Sequence, residues 1–201
     1  TTWDPTRWNS QMVLSNGNLT GKSSGGNSCC GLGVAAITGK TFIQMVLDAN
    51  AGITDGQIGI GIANASVNRN SFLGNDANGI GYWPGDTGIW TNNSNFMAAP
   101  FTVTDGVVIA IAVDPVAKLF WGTKDGTTWN AGGTANPATG VGGASFSAIS
   151  GTIYPALSLT AVNVQTTTRF DAASWSYGPP SGFAEINIAV AFPRNFGGFV
   201  G

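Results

Sequence analysis

The segment QIGIGIA at residues 57–63 most narrows what this chain can build. Ile58, Ile60 and Ile62 recur at period two, so an extended backbone puts them on one face and Gly59 and Gly61 on the other. The isoleucine face reads as core, and the glycine face permits close approach by another layer or backbone. The same period returns in TFIQMVLD, where Ile43, Met45 and Leu47 alternate with Phe42, Gln44 and Val46. In VVIAIAVD, Val107, Ile109, Ile111 and Val113 oppose Val108, Ala110 and Ala112, which predicts a strand buried on both faces. No stretch sustains apolar residues at helical spacing over three turns. The expected class is all-β.

Turn signals punctuate these runs. Asn16-Gly17 separates QMVL from NLTG, Asp105-Gly106 opens the long apolar strand, and Asp125-Gly126 sits between KLFWGT and TTWN. Further strands are expected at TIYPALSL and NVQTTTRF, the second with Val164, Thr166, Thr168 and Phe170 on one face. Many short strands with turns between them predict a two-sheet antiparallel β-sandwich or jelly roll. Residues 64–100 and 131–144, rich in Gly with Asn or Ala, read as long surface loops, where binding commonly resides. At 201 residues and 43% hydrophobic content the chain suits one domain, taken as residues 1–183. Residues 184–201 read as an apolar tail, docking segment or linker.

Charged residues make up only 9% of the chain, against roughly 25% in ordinary soluble domains, so neutral polar groups must carry its solubility. That pattern suits extracellular, surface-display and virion proteins, whose neutral faces pack on identical neighbours without desolvating charge. A net charge of -2 with scattered Lys and Arg argues against nucleic acid as a partner. The longest apolar run, Val107 to Val113, is strand-sized, which argues against membrane insertion by a helix. Cys29 and Cys30 are adjacent and read as ordinary thiols in a Gly/Ser-rich loop, since a disulfide between neighbours closes a strained ring.

The inventory for catalysis is thin. There is no His, and the only Glu, Glu185, falls in the tail. The aspartates are isolated in turns and supply no facing carboxylate pair, so no catalytic residue is assigned and the chain is read as not an enzyme. GNLTGKS, residues 17–23, has three residues between its glycines where a phosphate loop has four, and reads as a hairpin turn. DANAGITD, residues 48–55, lacks the closing bidentate Glu of a calcium loop. That segment, like Asn75, Asp76 and Asn78, reads as a polar turn. No metal site and no cofactor are expected.

The most suggestive cluster is Tyr82, Trp83, Asp86, Trp90, Asn92, Asn93 and Asn95, joined by Trp121 and Trp129 from the following hairpin. Aromatic faces beside amides and a carboxylate are what sugar rings need, since apolar C–H faces stack and hydroxyls find directional partners. The favoured alternative is that these tryptophans fill the sandwich or a subunit interface. Trp3 and Trp8 read as staples of the N-terminus.

The order of motifs resembles the SPRY domain, a concanavalin-like sandwich, and particularly SPRY-like domains of bacterial and phage structural proteins. The resemblance covers residues 8–183. It is carried by LSNGNLT (14–20), IGIGIANAS (58–66), FLGNDANGIGYWPGDTG (72–88), FTVTDGVVIAIAVDPVAKLFWGTKDGTTW (101–129), SGTIYPALSLT (150–160) and WSYGPPSGF (175–183). It implies a non-enzymatic binding module on a virion surface, as part of a head or tail appendage. Its partners would be a host-surface glycan or other virion proteins, and a homo-oligomer, by analogy a trimer, is expected. A purely structural decoration or assembly protein is the alternative, and a bacterial secreted or cell-surface carbohydrate-binding domain is another.

Overall fold

Alternation of large and small apolar residues becomes the pleat of two antiparallel sheets. A computed structural model describes residues 1–49, 57–85, 88–97, 103–130 and 133–186. The strands are β1 (Met12–Ser15), β2 (Thr20–Ser23), β3 (Cys29–Leu32), β4 (Thr41–Ala49), β5 (Ile58–Asn64), β6 (Gly79–Trp83), β7 (Gly88–Thr91), β8 (Ser94–Met97), β9 (Val108–Asp114), β10 (Leu119–Thr123), β11 (Ala144–Ser145), β12 (Ile153–Leu159) and β13 (Gln165–Arg169). Sheet A has the order β1-β2-β13-β4-β9-β10-β11, and sheet B the order β3-β12-β5-β6-β7-β8.

Register places like with like. Ile43 faces Ile111 and Met45 faces Ile109 between β4 and β9, while Ile60 lies between Tyr82 of β6 and Leu157 of β12. These side chains form the core between the sheets, with Leu47, Ile62, Ile80, Val113 and Phe120. Gly122 of β10 makes room for a ring from the opposite sheet, since a Cβ there would stand 2.3 Å from the Tyr82 ring. Val164, Thr166, Thr168 and Phe170 are all buried along one face of β13 and its flanks, as the period predicts.

Both sheets are also covered on their outer faces. On sheet B, Cys30, Ala63, Trp83 and Ala156 pack with Val67 and Leu73 of the loop between β5 and β6. The glycine face of β5 serves this layer, because a Cβ on Gly59 would meet the Trp83 ring at 2.5 Å. On sheet A, Phe42, Ala110, Ala112, Trp121 and Trp129 pack under Phe183, Trp175 and Tyr177 of the segment after β13.

Buried Gln44 of β4 fastens that C-terminal strap. Its Nε2 donates to the Tyr177 carbonyl at 2.7 Å, and its Oε1 accepts from the Ser176 N–H at 2.7 Å. Farther on, the Ala184 N–H donates to the Lys40 carbonyl at 3.1 Å and the Phe42 N–H to the Ala184 carbonyl at 2.8 Å. Residues 184–186 of the expected tail thus run beside β4, and residues 187–201 lie outside the described residues. Lys40 also pairs with Asp114 at 3.2 Å and stands 5.4 Å from the Phe183 ring centroid.

Two expectations need correction. Residues 64–100 are not one long loop, because β6, β7 and β8 lie within them. The alternation Gly79, Ile80, Gly81, Tyr82 is as regular as that of β5, and glycine richness disguises it. Cys29 and Cys30 stand in β3, not in a loop, and are free. Neighbours in a strand point to opposite faces, so Cys29 enters the central core and Cys30 the outer layer of sheet B.

Replacing Gln44 by Leu leaves the Ser176 N–H and the Tyr177 carbonyl without their partner. The expected loss is about 1–3 kcal/mol of unfolding free energy in urea melts, with earlier proteolysis within 172–183.

Candidate functional site

Period two separates the aromatic residues that stand together in the sequence. Tyr82 points into the central core at 0% exposure, and Trp83 points to the outer layer of sheet B at 3%. Burial pushes the Tyr82 phenol above its ordinary pKa, and its hydroxyl has no hydrogen-bond partner. The Trp83 Nε1–H donates to the Leu73 carbonyl at 3.0 Å, and Phe72 meets both Trp83 and Trp90 edge-on, with centroids 6.0 and 5.7 Å away. Trp90 is half-buried on that layer, opposite Gly81.

Trp129 lies on the outer face of sheet A, 6% exposed and 6.4 Å from Phe42. Trp121 is there too, its Nε1–H donating to the Val141 carbonyl at 2.9 Å. Trp83 and Trp90 therefore share one flank, Trp121 and Trp129 the opposite one, and Tyr82 the space between. Asp86 lies outside the described residues. Asn92 and Asn93 are exposed at the β7–β8 turn, in the left-handed region at φ 49° and 54°, where Asn is tolerated. Truncating Trp83 to Ala empties a packed layer, so it should cost about 3–5 kcal/mol of stability in denaturant melts.

The cover of sheet B is held by amides and one carboxylate. Asp76 accepts from the Asn68 and Asn78 N–H groups, each at 2.9 Å, and its own carbonyl accepts from the Asn92 N–H at 3.1 Å. The Asn93 N–H donates to the Gly74 carbonyl at 2.8 Å, joining hairpin to loop. At the other end, Asn9 Nδ2 donates to the Arg69 carbonyl at 2.7 Å and to Asn70 Oδ1 at 2.9 Å.

Beside this junction lie two adjoining polar clefts of about 320 and 480 Å³ that share Asn9 and Asn70. Trp8, Asn68 and Arg69 line the first, and Gln11, Asn27 and Ser71 the second. Sequence reasoning did not single out Asn9, Arg69 or Asn70. Their meeting depends on a contact across some sixty residues, of which the only local sign is the density of Asn.

Among the described aspartates, Asp114 and Asp125 are occupied by backbone N–H groups. Asp125 Oδ1 accepts from the Thr127 and Thr128 N–H groups at 2.8 and 2.7 Å. Although partial burial opposes ionisation, those bonds hold its pKa down to about 2. Asp114 accepts from Val116 and Ala117 and is likewise held low, against the cost of its burial. Asp4 and Asp171 cap short turns. Burial pushes the thiols of Cys29 and Cys30 up to about 11 and 12, which keeps them protonated at neutral pH. Among the described residues no three of His, Cys, Asp or Glu gather as metal ligands.

No family model and no curated protein matches the sequence. Solved structures do match its shape. The SPRY domain of human HERC1 superposes with a TM-score of 0.62 at 13% identity, covering 83% of this chain and 96% of that one. The fold is that of SPRY domains. The TRIM65 PSpry domain agrees, with a TM-score of 0.59 at 12% identity over 84% of this chain and 90% of that one. Stonustoxin also matches, with a TM-score of 0.56 at 16% identity, over 84% of this chain but 26% of the toxin chain. At such identities the likeness to SPRY structures speaks to fold, and none of these names concerns a phage or bacterial structural protein.

Proposed function

We propose that this chain is a non-catalytic binding module displayed on a virion surface, in a phage head or tail appendage, and that it recognises a host-surface glycan. Its site is the amide-rich cover of sheet B. The observation that carries the reading is the exposure of Asn68, Asn70, Asn92 and Asn93 on a loop and hairpin tied to each other and to a rigid sheet. Such a surface offers fixed, directional, uncharged donors and acceptors, which suit sugar hydroxyls and require little ordering on binding. The SPRY fold supports the binding role, and the engagement of Asp4, Asp114, Asp125 and Asp171 in turns supports the absence of catalysis. The 9% charged fraction supports display among like neighbours. A secreted bacterial carbohydrate-binding domain would use the same surface from a different location.

A second reading, a structural assembly protein contacting sibling subunits, draws on Phe96. This ring is 48% exposed on β8, an edge strand of sheet B. Edge strands with apolar side chains invite pairing with another chain, here within a homo-oligomer.

A glycan array probed with the wild-type chain and an Asn92→Gly/Asn93→Gly double variant separates these readings. Glycine keeps the left-handed backbone while removing both amides, so melting temperature should hold and glycan binding should fall at least about tenfold. Absence of binding by the native wild-type oligomer would remove the glycan reading.

A further inference from the structure

We infer that the first cleft, between residues 6–10 and 67–70, takes an acidic sugar, whose carboxylate is received by Arg69 and whose ring lies against Trp8. This inference rests on the glycan reading and names the class of sugar.

Arg69 differs from the other arginines of the described chain. Arg7 pairs with Asp4 at 2.8 Å and covers the Tyr154 ring, and Arg169 donates to Ser176. Arg69 is half-buried, and its guanidinium makes no hydrogen bond or ion pair among the described residues, although its backbone is firmly placed. The Arg69 carbonyl accepts from the Cys30 N–H of β3 at 3.1 Å and from Asn9 Nδ2 at 2.7 Å. A free guanidinium is thus rooted at a fixed point on the sheet edge. The carboxylates around it are engaged. Asp76 serves Asn68 and Asn78, and Asp4 serves Arg7 and Thr6. No carboxylate lines either cleft.

The amides leave donors facing the ligand. Asn70 Oδ1 already accepts from Asn9, and Asn68 Oδ1 accepts from the Asn70 N–H at 3.1 Å, so both side chains have their NH2 groups to offer. Trp8 is half-buried, packed on Trp3 at 5.5 Å between ring centroids and on Gly31 and Gly21, where a Cβ would fall 1.7 and 3.1 Å from its ring, and the rest of the indole lines the cleft. Its buried Nε1–H has no partner. A partly exposed indole, spare amide N–H donors and a guanidinium with no bonded carboxylate match a hydroxyl-rich ring bearing a carboxylate, which Arg binds through two parallel hydrogen bonds. A cleft of about 320 Å³ is of the size that ligands of one or two rings occupy.

The test is titration of the whole chain with glucuronate and N-acetylneuraminate, each beside its methyl ester, followed by heteronuclear NMR. For at least one of these acids, binding to the wild type should be at least about tenfold tighter than binding of its ester. Arg69→Gln should bring that acid down to its ester, Arg69→Lys should keep part of the preference, and neither should change the melting temperature. Equal binding of acid and ester, or an unchanged preference in Arg69→Gln, overturns the inference. If neutral glycans bind through Asn92 and Asn93 without preference for acids, the glycan reading stands and this inference falls. If no saccharide binds, both fall. A tetraglutamate peptide binding as tightly as the sugar acids would also overturn it, because the carboxylate alone would then be recognised.

Discussion

The structure depends on strands that are apolar on both sides. An antiparallel sheet usually buries one face and leaves the other to water. Here β9 sends Ile109, Ile111 and Val113 into the central core while Ala110 and Ala112 join a second apolar layer outside. In sheet B, β6 sends Ile80 and Tyr82 inward and Trp83 outward. Each sheet therefore requires a cover. The loop between β5 and β6 covers sheet B, and the strap after β13 covers sheet A. Glycine and alanine on the outward positions let these covers approach, and tryptophan and phenylalanine fill what remains.

The covers are fastened in different ways, and this bears on function. The strap is clamped from beneath by Gln44 and packs its rings face to edge, as in the perpendicular pair Phe42 and Trp175 at 4.9 Å. The loop on sheet B is fastened by Asp76 and a chain of asparagines, several of which keep unused hydrogen-bonding groups toward solvent. Polar fastening leaves a chemically addressable surface where aromatic fastening leaves a packed one. The proposed binding site on the cover of sheet B rests on how that cover is held.

Much of the architecture was legible because period two survives in single strands. β4, β5, β9 and β13 each announce a core face and β12 an extended run, and the order of β5, β9 and β12 among the other motifs carries the SPRY resemblance. The glycine-rich β6 hid behind composition, although its alternation matches that of β5. The aromatic cluster is a neighbourhood in sequence alone, and the same periodicity divides it, because Tyr82 and Trp83 are adjacent in one strand. The cleft at Asn9, Arg69 and Asn70 was not legible at all. It arises where the N-terminal segment meets a loop sixty residues away, and no local pattern encodes that meeting.

Hydrogen exchange of the indole N–H groups, resolved by NMR on the free chain, tests most directly whether the outer faces are sealed. With the covers in place, the Trp83 and Trp121 indoles, bonded to Leu73 and Val141, exchange only through opening events that approach global unfolding. Exchange of either at the rate of a solvent-exposed indole would contradict the account and return the buried rings to the candidate binding surface.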